Sequence, residues 1–138
     1  MRARSIVLIA AFVAAVAPGQ LASAQGEVGN PSDARAVQAH VDAYRSGSLD
    51  RFVASFAPDA QVVMHGVTVA SGHDDIRALY QSDFYAGMPK LKITDSGYKA
   101  KRVYLSTAMV YPNGAEVCCG YSEFVVRGGK IARAEHGY

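Results

Sequence analysis

Two histidines are the side chains of this sequence best suited to carry a proton near neutral pH. His40 lies in a helical pattern at the edge of an apolar stripe, and His136 lies near the end of the last predicted strand. Imidazole has the unperturbed side-chain pKa closest to neutrality. If the two rings face each other, they could act as acid and base in a dehydration, an isomerisation or a hydrolysis. The alternative is structural, because a histidine beside an apolar stripe is commonly a hydrogen-bonded core or surface residue.

Common signatures of metal, phosphate and acyl-transfer chemistry are missing from the sequence. It contains no HExxH and no paired CxxC, and a predicted turn separates His65 from His73. Asp74 and Asp75, beside His73, are explained as favourable charges at a helix N-terminus. The glycine pair before the last strand predicts a hairpin turn and not a phosphate loop, and no GxSxG elbow occurs. We therefore expect no metal ion and no cofactor.

Cys118 and Cys119 are adjacent in the sequence. Neighbouring Cα atoms across a trans peptide lie ~3.8 Å apart, short of the ~4.4–6.8 Å usual for a disulfide. On a regular strand the two side chains would also point to opposite faces. We expect two unbridged cysteines, with Cys118 turned inward. An intermolecular bridge through an outward Cys119 stays open as an alternative.

The elements that would position these side chains are three helices followed by a strand-rich half. Ser32 predicts the N-cap of the first helix and Gly47 its end, and Pro58 is expected to separate the second helix from the first strand. This composition of elements is typical of an α+β fold. The predicted helices cover 33–47, 49–56 and 74–85, and the predicted strands cover 61–65, 67–70, 90–94, 99–111, 115–126 and 130–136.

This order of elements resembles the ketosteroid-isomerase-like family, a cone fold also called nuclear-transport-factor-like or SnoaL-like. Three segments carry the resemblance: SGSLDRFVASFAPDA, SGHDDIRALY and FVVRGGKIARAE. The resemblance implies three N-terminal helices packed on a strongly curved, mostly antiparallel sheet, a cystatin-like roll over residues 32–138. It also implies a conical pocket between the first helix and the concave face of the sheet.

Aligning the chain with that family on Gly47, Phe56 and the final hairpin assigns three pocket positions. His40 falls where isomerases carry a tyrosine, Met64 falls at their general base, and Ser122 falls at their strand acid. A thioether cannot abstract a proton, so we do not expect the isomerase mechanism. Alternation along the last strands turns further side chains toward the pocket. The predicted proton carriers are His40 and His136, and the predicted lining residues are Tyr44, Met64, Cys118, Ser122, Phe124 and Tyr138.

Residues 1–24 have the pattern of an export signal. Two arginines precede an apolar run of eleven residues, Ile6–Val16, and Ala22-Ser23-Ala24 supplies a cleavage pattern. A membrane span needs roughly 20 apolar residues, so the run is too short to serve as one. We expect cleavage, a flexible lead-in over residues 25–31, a periplasmic or secreted protein, and no membrane association afterwards.

The charge balance gives no reason to expect a nucleic-acid partner. The chain has 14 Lys+Arg and 12 Asp+Glu, and two of the cations, Arg2 and Arg4, lie in the predicted signal. The mature chain therefore carries 12 of each sign and is formally neutral. Nucleic-acid binding domains are commonly basic.

These patterns favour an exported protein that binds a small apolar or aromatic molecule in its pocket without converting it. The alternative is a small lyase, isomerase or hydrolase in which His40 or His136 carries the proton. A further expectation, compatible with both, is a homodimer formed through the outer sheet face, where Cys119, Tyr121 and Val125 would lie.

Overall fold

The computed structural model describes residues 29–137. The predicted signal over residues 1–24, most of the predicted lead-in and Tyr138 lie outside the described residues. The helices are α1 (Pro31–Arg45), α2 (Leu49–Ala54) and α3 (Gly72–Tyr80), followed by a 3₁₀ turn over Gln81–Asp83. The strands are β1 (Phe56–Met64), β2 (Val67–Ser71), β3 (Lys90–Lys99), β4 (Arg102–Val110), β5 (Glu116–Arg127) and β6 (Lys130–Gly137).

The six strands form one curved, open sheet in the order β2-β1-β6-β5-β4-β3. All neighbouring pairs are antiparallel except β1 and β6, which are parallel. Helix α1 packs across β3, β4, β5 and β6, and α3 packs on β1 and β2. The predicted α+β class, with helices on a mostly antiparallel curved sheet, is confirmed.

The apolar stripes of the helices and the inner face of the sheet form the core. Val37 and Val41 of α1, Phe52 of α2 and Ile76 of α3 are buried, together with Ile131 of β6. Burying one such side chain contributes roughly 1.5–3 kcal/mol. None of the helices in residues 29–137 is long and apolar enough to cross a membrane.

Helix α1 begins one residue before its predicted N-cap, so the prediction of Ser32 is wrong. The cap is Asn30, whose side-chain oxygen accepts a hydrogen bond from the Ser32 backbone N–H at 3.0 Å. Pro31 occupies the first helical position, where its missing N–H is not needed. The asparagine side chain satisfies a free helix N–H, and Ser32 enters the first turn instead.

Pro58 does not separate α2 from the first strand, contrary to the sequence prediction. Helix α2 already ends at Ala54, and β1 begins at Phe56 and continues through the proline. Pairing of β1 with β6 is irregular between Phe56 and Gln61. A proline in such an interruption removes no regular ladder hydrogen bond, so the strand tolerates it.

The third strand is twice as long as predicted, because the sequence analysis missed the hairpin that ends it. Ala100 and Lys101 form the β3–β4 turn with φ angles of 51° and 62°. Positive φ at both positions is what a tight two-residue hairpin needs, although Asn and Gly are the usual residues there. The predicted Gly128-Gly129 turn is confirmed, with φ angles of 58° and 74°.

The expectation of two unbridged cysteines is wrong, because a disulfide joins Cys118 to Cys119. Thr107 of β4 pairs with Gly120 and the next residue, Ala108, pairs with Cys118, so Cys119 is the extra residue of a β-bulge. The peptide between the cysteines is cis. The prediction assumed a trans peptide and regular side-chain alternation, and neither applies at this position.

Candidate functional site

A cavity of about 400 Å³ lies between the helices and the inner face of the sheet. This volume is in the range of small-molecule pockets. Seven of the eight predicted site residues line it: His40, Tyr44, Met64, Cys118, Ser122, Phe124 and His136. The eighth, Tyr138, lies outside the described residues. The buried end of the cavity is formed around His40, and the exposed end, called the mouth below, includes Asp83, Val117, Cys118 and Cys119.

His40 is a buried histidine held in one tautomer by Ser55. The Ser55 hydroxyl donates its only proton to the backbone carbonyl of Phe52. Its oxygen lies 2.7 Å from Nδ1 of His40 and must therefore accept a hydrogen bond there. Nδ1 of His40 consequently carries the ring proton, and Nε2 keeps its lone pair.

The surroundings of His40 are aromatic, which keeps its ring neutral. Its centroid lies 4.8 Å from the rings of Phe52 and Phe56 and 5.4 Å from that of Phe124. Burial, with a smaller contribution from the charge of His136, lowers the pKa of His40 to about 3. His40 is therefore neutral at physiological pH and is a weak base.

Nε2 of His40 is an acceptor without a hydrogen-bond partner among residues 29–137. Because the residue lines the cavity, this lone pair can accept a hydrogen bond from a ligand hydroxyl or N–H. A ring with this pKa accepts such a bond without removing the proton.

His136 is connected to hydroxyl groups at both ring nitrogens. The β5–β6 register places Ser122 opposite His136, and the Ser122 hydroxyl lies 2.7 Å from Nδ1. Nε2 lies 2.9 Å from the hydroxyl of Tyr80 at the end of α3. Burial lowers the pKa of His136, so this ring also favours its neutral form.

A neutral imidazole has one donor and one acceptor nitrogen, so the Tyr80–His136–Ser122 chain has two arrangements. In one, Tyr80 donates to Nε2 and Nδ1 donates to Ser122, which leaves the serine proton for a ligand acceptor. In the other, Ser122 donates to Nδ1 and Nε2 donates to Tyr80. Ser122, which lines the cavity, therefore offers a ligand either a proton or a lone pair.

The two histidines are close but do not form a hydrogen-bonded pair with each other within the described chain. Both rings contact Phe124, whose centroid lies 5.4 Å from that of His40 and 6.3 Å from that of His136. Each imidazole has its own hydroxyl partner. This arrangement places two separate polar positions on the wall of a largely apolar cavity.

Met64 and Gly120 shape the sheet side of the cavity. Met64 is paired with His136 across the β1–β6 ladder, so a thioether occupies the position that the family resemblance assigns to a general base. At Gly120, a Cβ atom would lie 2.8 Å from the Thr107 hydroxyl. The glycine therefore lets β5 approach that hydroxyl closely.

Asp83 is a cavity residue that the sequence analysis missed. The prediction continued α3 to Tyr85, but the helix ends at Tyr80 and the following 3₁₀ turn brings Asp83 to the cavity mouth. Burial raises the pKa of Asp83, and a hydrogen bond with Ser82 partly opposes this effect. No periodic pattern marks an aspartate just beyond a helix, so Asp83 could not be identified from the sequence.

Tyr44 lies beside Asp83 at the mouth. Its ring packs 5.4 Å from Phe84 and 5.6 Å from Phe52. Burial, and then the charges of Asp83, Tyr85 and Tyr111, raise the pKa of Tyr44 to about 12. The phenol is therefore protonated and can donate a hydrogen bond.

Tyr80 was predicted only as part of an apolar helix stripe, and the structure gives it a polar contact as well. Its partner His136 is 56 positions away in the sequence. Across residues 29–137, no three His, Cys, Asp or Glu side chains converge as metal ligands would. The donors and acceptors on the cavity wall suit an organic ligand.

An open curved sheet covered by helices, with an apolar cavity that contains a few hydrogen-bonding groups, defines a small-molecule-binding or catalytic cone domain. The sequence profile of the SnoaL-like domain family matches residues 37–134. The chain therefore belongs to the SnoaL-like domain family. No curated protein sequence matches it significantly.

Solved structures with low sequence identity share this fold. A cystatin-fold protein from Novosphingobium aromaticivorans has a TM-score of 0.64 at 18% identity, covering 79% of this chain and 100% of its own. A putative polyketide cyclase from Sinorhizobium meliloti has a TM-score of 0.62 at 22% identity, with coverages of 75% and 94%. The Δ5-3-ketosteroid isomerase from Mycobacterium sp. has a TM-score of 0.62 at 17% identity, with coverages of 78% and 92%.

Proposed function

We propose that this chain is an exported protein that binds a small apolar or aromatic molecule and releases it unchanged. The observation that carries the proposal is the state of His40. A neutral imidazole with a pKa of about 3, enclosed by phenylalanine rings, accepts a hydrogen bond but does not take up a proton. Such a group orients a ligand in the cavity without acting as a general base at physiological pH.

The polar positions of the cavity indicate which groups the ligand carries. A hydroxyl of the ligand would donate to Nε2 of His40, and a carbonyl or second hydroxyl would accept from Ser122. Most of the other lining residues are apolar or aromatic, including Phe52, Phe124 and Met64. A phenol or a hydroxylated ring compound fits this combination.

Two further observations support parts of this proposal. Two proteins of similar fold are named as a putative polyketide cyclase and a ketosteroid isomerase, which supports a small organic ligand. The pattern of residues 1–24 supports export to the periplasm or the medium.

Calorimetric titration with two neutral phenols, 4-tert-butylphenol and 2-naphthol, tests the proposal. Both should bind, and chromatography should recover them unchanged. Ser122→Ala should weaken binding of at least one of them roughly threefold to tenfold, the size expected for one hydrogen bond. Ser106→Ala is the matched control, because Ser106 is a half-buried serine of β4 that does not line the cavity. Dissociation constants above roughly 1 mM for both phenols, or chemical conversion of either, would contradict the proposal.

A second candidate function is hydrolysis, and one observation favours it. The Ser122 hydroxyl lies 2.7 Å from His136, whose other nitrogen is held by Tyr80. A hydroxyl, a base and a group that orients the base are the parts of an activated nucleophile. Within the same alternative, a lyase or isomerase would use His136 as the proton carrier.

Hydrolysis of p-nitrophenyl acetate separates the two candidates. If Ser122 is a nucleophile, Ser122→Ala and His136→Gln should each lower the rate at least roughly 100-fold. His73→Gln is the control, since His73 contacts the backbone carbonyl of Phe56 and does not line the cavity. Equal rates in all four proteins would exclude Ser122 as an esterase nucleophile.

A further inference from the structure

The cavity mouth contains a single formally charged side chain among the described lining residues, that of Asp83. None of the ion pairs among residues 29–137 includes it. Most other residues that line the cavity are apolar or aromatic, including Leu91, Met109 and Tyr44. An unpaired carboxylate at the entrance of an apolar cavity favours a ligand that brings a positive charge to this point.

One aromatic residue of the cavity wall, Tyr44, lies near enough to this carboxylate to be influenced by its charge. Tyr44 lines the cavity and packs against Phe84, with ring centroids 5.4 Å apart. Tyr85 and Tyr111 lie close enough to influence Tyr44 electrostatically, and they are 56% and 40% exposed. Tyrosine rings that are partly open to solvent are available to contact a ligand entering the cavity.

A single carboxylate beside an aromatic ring favours an organic cation over a metal ion. A metal ion prefers several converging oxygen ligands, and no such cluster occurs among residues 29–137. An alkylated ammonium group instead combines attraction to a carboxylate with contact to the faces of aromatic rings. Tyr44 as a protonated phenol keeps its ring neutral and adds no competing negative charge.

We propose that Asp83 at the mouth, together with the neighbouring ring of Tyr44, binds the ammonium group of an organic cation whose apolar or aromatic body occupies the cavity. This proposal rests on the proposed small-molecule function and specifies the ligand class further. The ligand has an uncharged inner part that contacts His40 and Ser122. Its outer part is a tertiary or quaternary amine.

A pair of isosteric phenols tests the proposal. 4-Hydroxyphenyltrimethylammonium and 4-tert-butylphenol have nearly the same shape and differ in the positive charge. Calorimetry on the full mature protein should show that the cation binds roughly threefold to tenfold more tightly than the neutral phenol at low salt. The preference should shrink at high ionic strength, because the charges at the mouth are exposed to solvent.

Variants of Asp83 and of a matched surface aspartate identify the group responsible. Asp83→Asn should reduce the ratio of the two affinities to near one, whereas Asp83→Glu should retain part of it. Asp95→Asn should leave the ratio unchanged, because Asp95 is exposed on β3 and does not line the cavity. Tyr44→Leu should lower the ratio further than Tyr44→Phe, since the phenylalanine keeps an aromatic face.

The outcomes separate this proposal from the proposed function. Binding of both phenols with equal affinity, or a preference that survives in Asp83→Asn, would overturn the cation site and leave the small-molecule function in place. Failure of both phenols to bind would overturn both proposals.

Discussion

The two ends of the cavity use their polar groups in different ways. At the buried end, His40 is 5% exposed, has a fixed tautomer and is enclosed by three phenylalanines. At the mouth, Asp83 carries a charge beside tyrosines that are partly exposed, and a disulfide of two exposed cysteines forms part of the wall. The buried end therefore suits uncharged hydrogen-bonding groups, and the mouth suits a charged group because water remains near it.

This difference explains why a cavity with two histidines does not require acid–base catalysis. Imidazole titrates near neutrality only while its charged form stays solvated, and burial of both His40 and His136 lowers their pKa values. Histidine as a residue type suggests proton transfer, but burial makes these two imidazoles neutral hydrogen-bonding groups. The carboxylate of the mouth lies outside this buried region.

The largest expected difference between the two ends is in how much a substitution lowers the free energy of unfolding. Phe52 is 3% exposed and its ring contacts those of His40, Tyr44, Phe56, Tyr80 and Phe84. Phe52→Ala should lower the free energy of unfolding by about 3–5 kcal/mol, measured by urea denaturation. Tyr85→Ala at the mouth should change it by no more than about 0.5 kcal/mol. If Phe52→Ala does not fold, Phe52→Leu can be measured instead and should cost about 1.5 kcal/mol or less. Equal losses of stability at Phe52 and Tyr85 would show that the buried end is not the more stabilising one.

The pH dependence of stability should also come from the buried end. The folded pKa of His40 is about 3, below its ordinary value of 6.5, so the unfolded chain binds the proton more readily. Its stabilising contribution is complete above pH 6.5 and is lost as the pH falls toward 3, by about 1.4 kcal/mol per pH unit. Burial of His136 acts in the same direction.

Urea denaturation of His40→Leu between pH 7 and pH 4 measures this contribution. In this variant the free energy of unfolding should change less with pH, because the contribution of His40 is gone. Ser55 keeps its hydrogen bond to the Phe52 carbonyl. His65→Asn is the control because His65 is an exposed turn residue with a φ of 50°, a conformation that asparagine tolerates. An unchanged slope in His40→Leu would show that the ring is not buried in its neutral form.

A smaller effect is expected where the hydroxyl chain supports His136. Tyr80→Phe removes the hydroxyl that lies 2.9 Å from Nε2 of His136. It should lower the free energy of unfolding by about 1 kcal/mol and weaken binding of 4-tert-butylphenol a few-fold. Tyr85→Phe removes an exposed hydroxyl and should do neither. Equal calorimetric affinities for Tyr80→Phe and the unchanged protein would show that the hydrogen bond between Tyr80 and His136 does not support the binding site.

The smallest effect on stability is expected from the disulfide at the mouth. Cys118–Cys119 closes the shortest possible loop, and a short loop constrains the unfolded chain least. Changing both cysteines to serine should therefore alter the free energy of unfolding by about 1 kcal/mol or less. A loss as large as that of Phe52→Ala would place the mouth among the main stabilising regions and contradict the comparison.

The fold was largely predictable because its elements leave periodic patterns. The apolar stripe containing Val37 and Val41, the hairpin at Gly128-Gly129 and the overall α+β order are all found in the structure. The errors occur where tertiary contacts override local signals. Pro58 lies in an irregular stretch of a strand, and Ala100 adopts a turn conformation that its residue type does not favour.

Most of the predicted site residues do line the cavity, but their hydrogen bonds could not be predicted from the sequence. Strand alternation brings Ser122 and His136 to the cavity, yet no sequence pattern pairs His136 with Tyr80 or His40 with Ser55. Both hydrogen bonds depend on contacts between distant segments, and the bond to Ser55 also fixes the tautomer of His40. Asp83 was missed because its position depends on where α3 ends.

We expect His40 to be a neutral acceptor that holds a ligand hydroxyl without taking its proton. Long-range ¹H–¹⁵N NMR of the histidine rings at pH 7, during titration with 4-tert-butylphenol, tests it most directly. We expect a proton on Nδ1 throughout, a change in the Nε2 signal when the phenol binds, and unchanged phenol signals in the same sample. An imidazolium signal from His40, a proton on Nε2, or new signals from a converted phenol would contradict it.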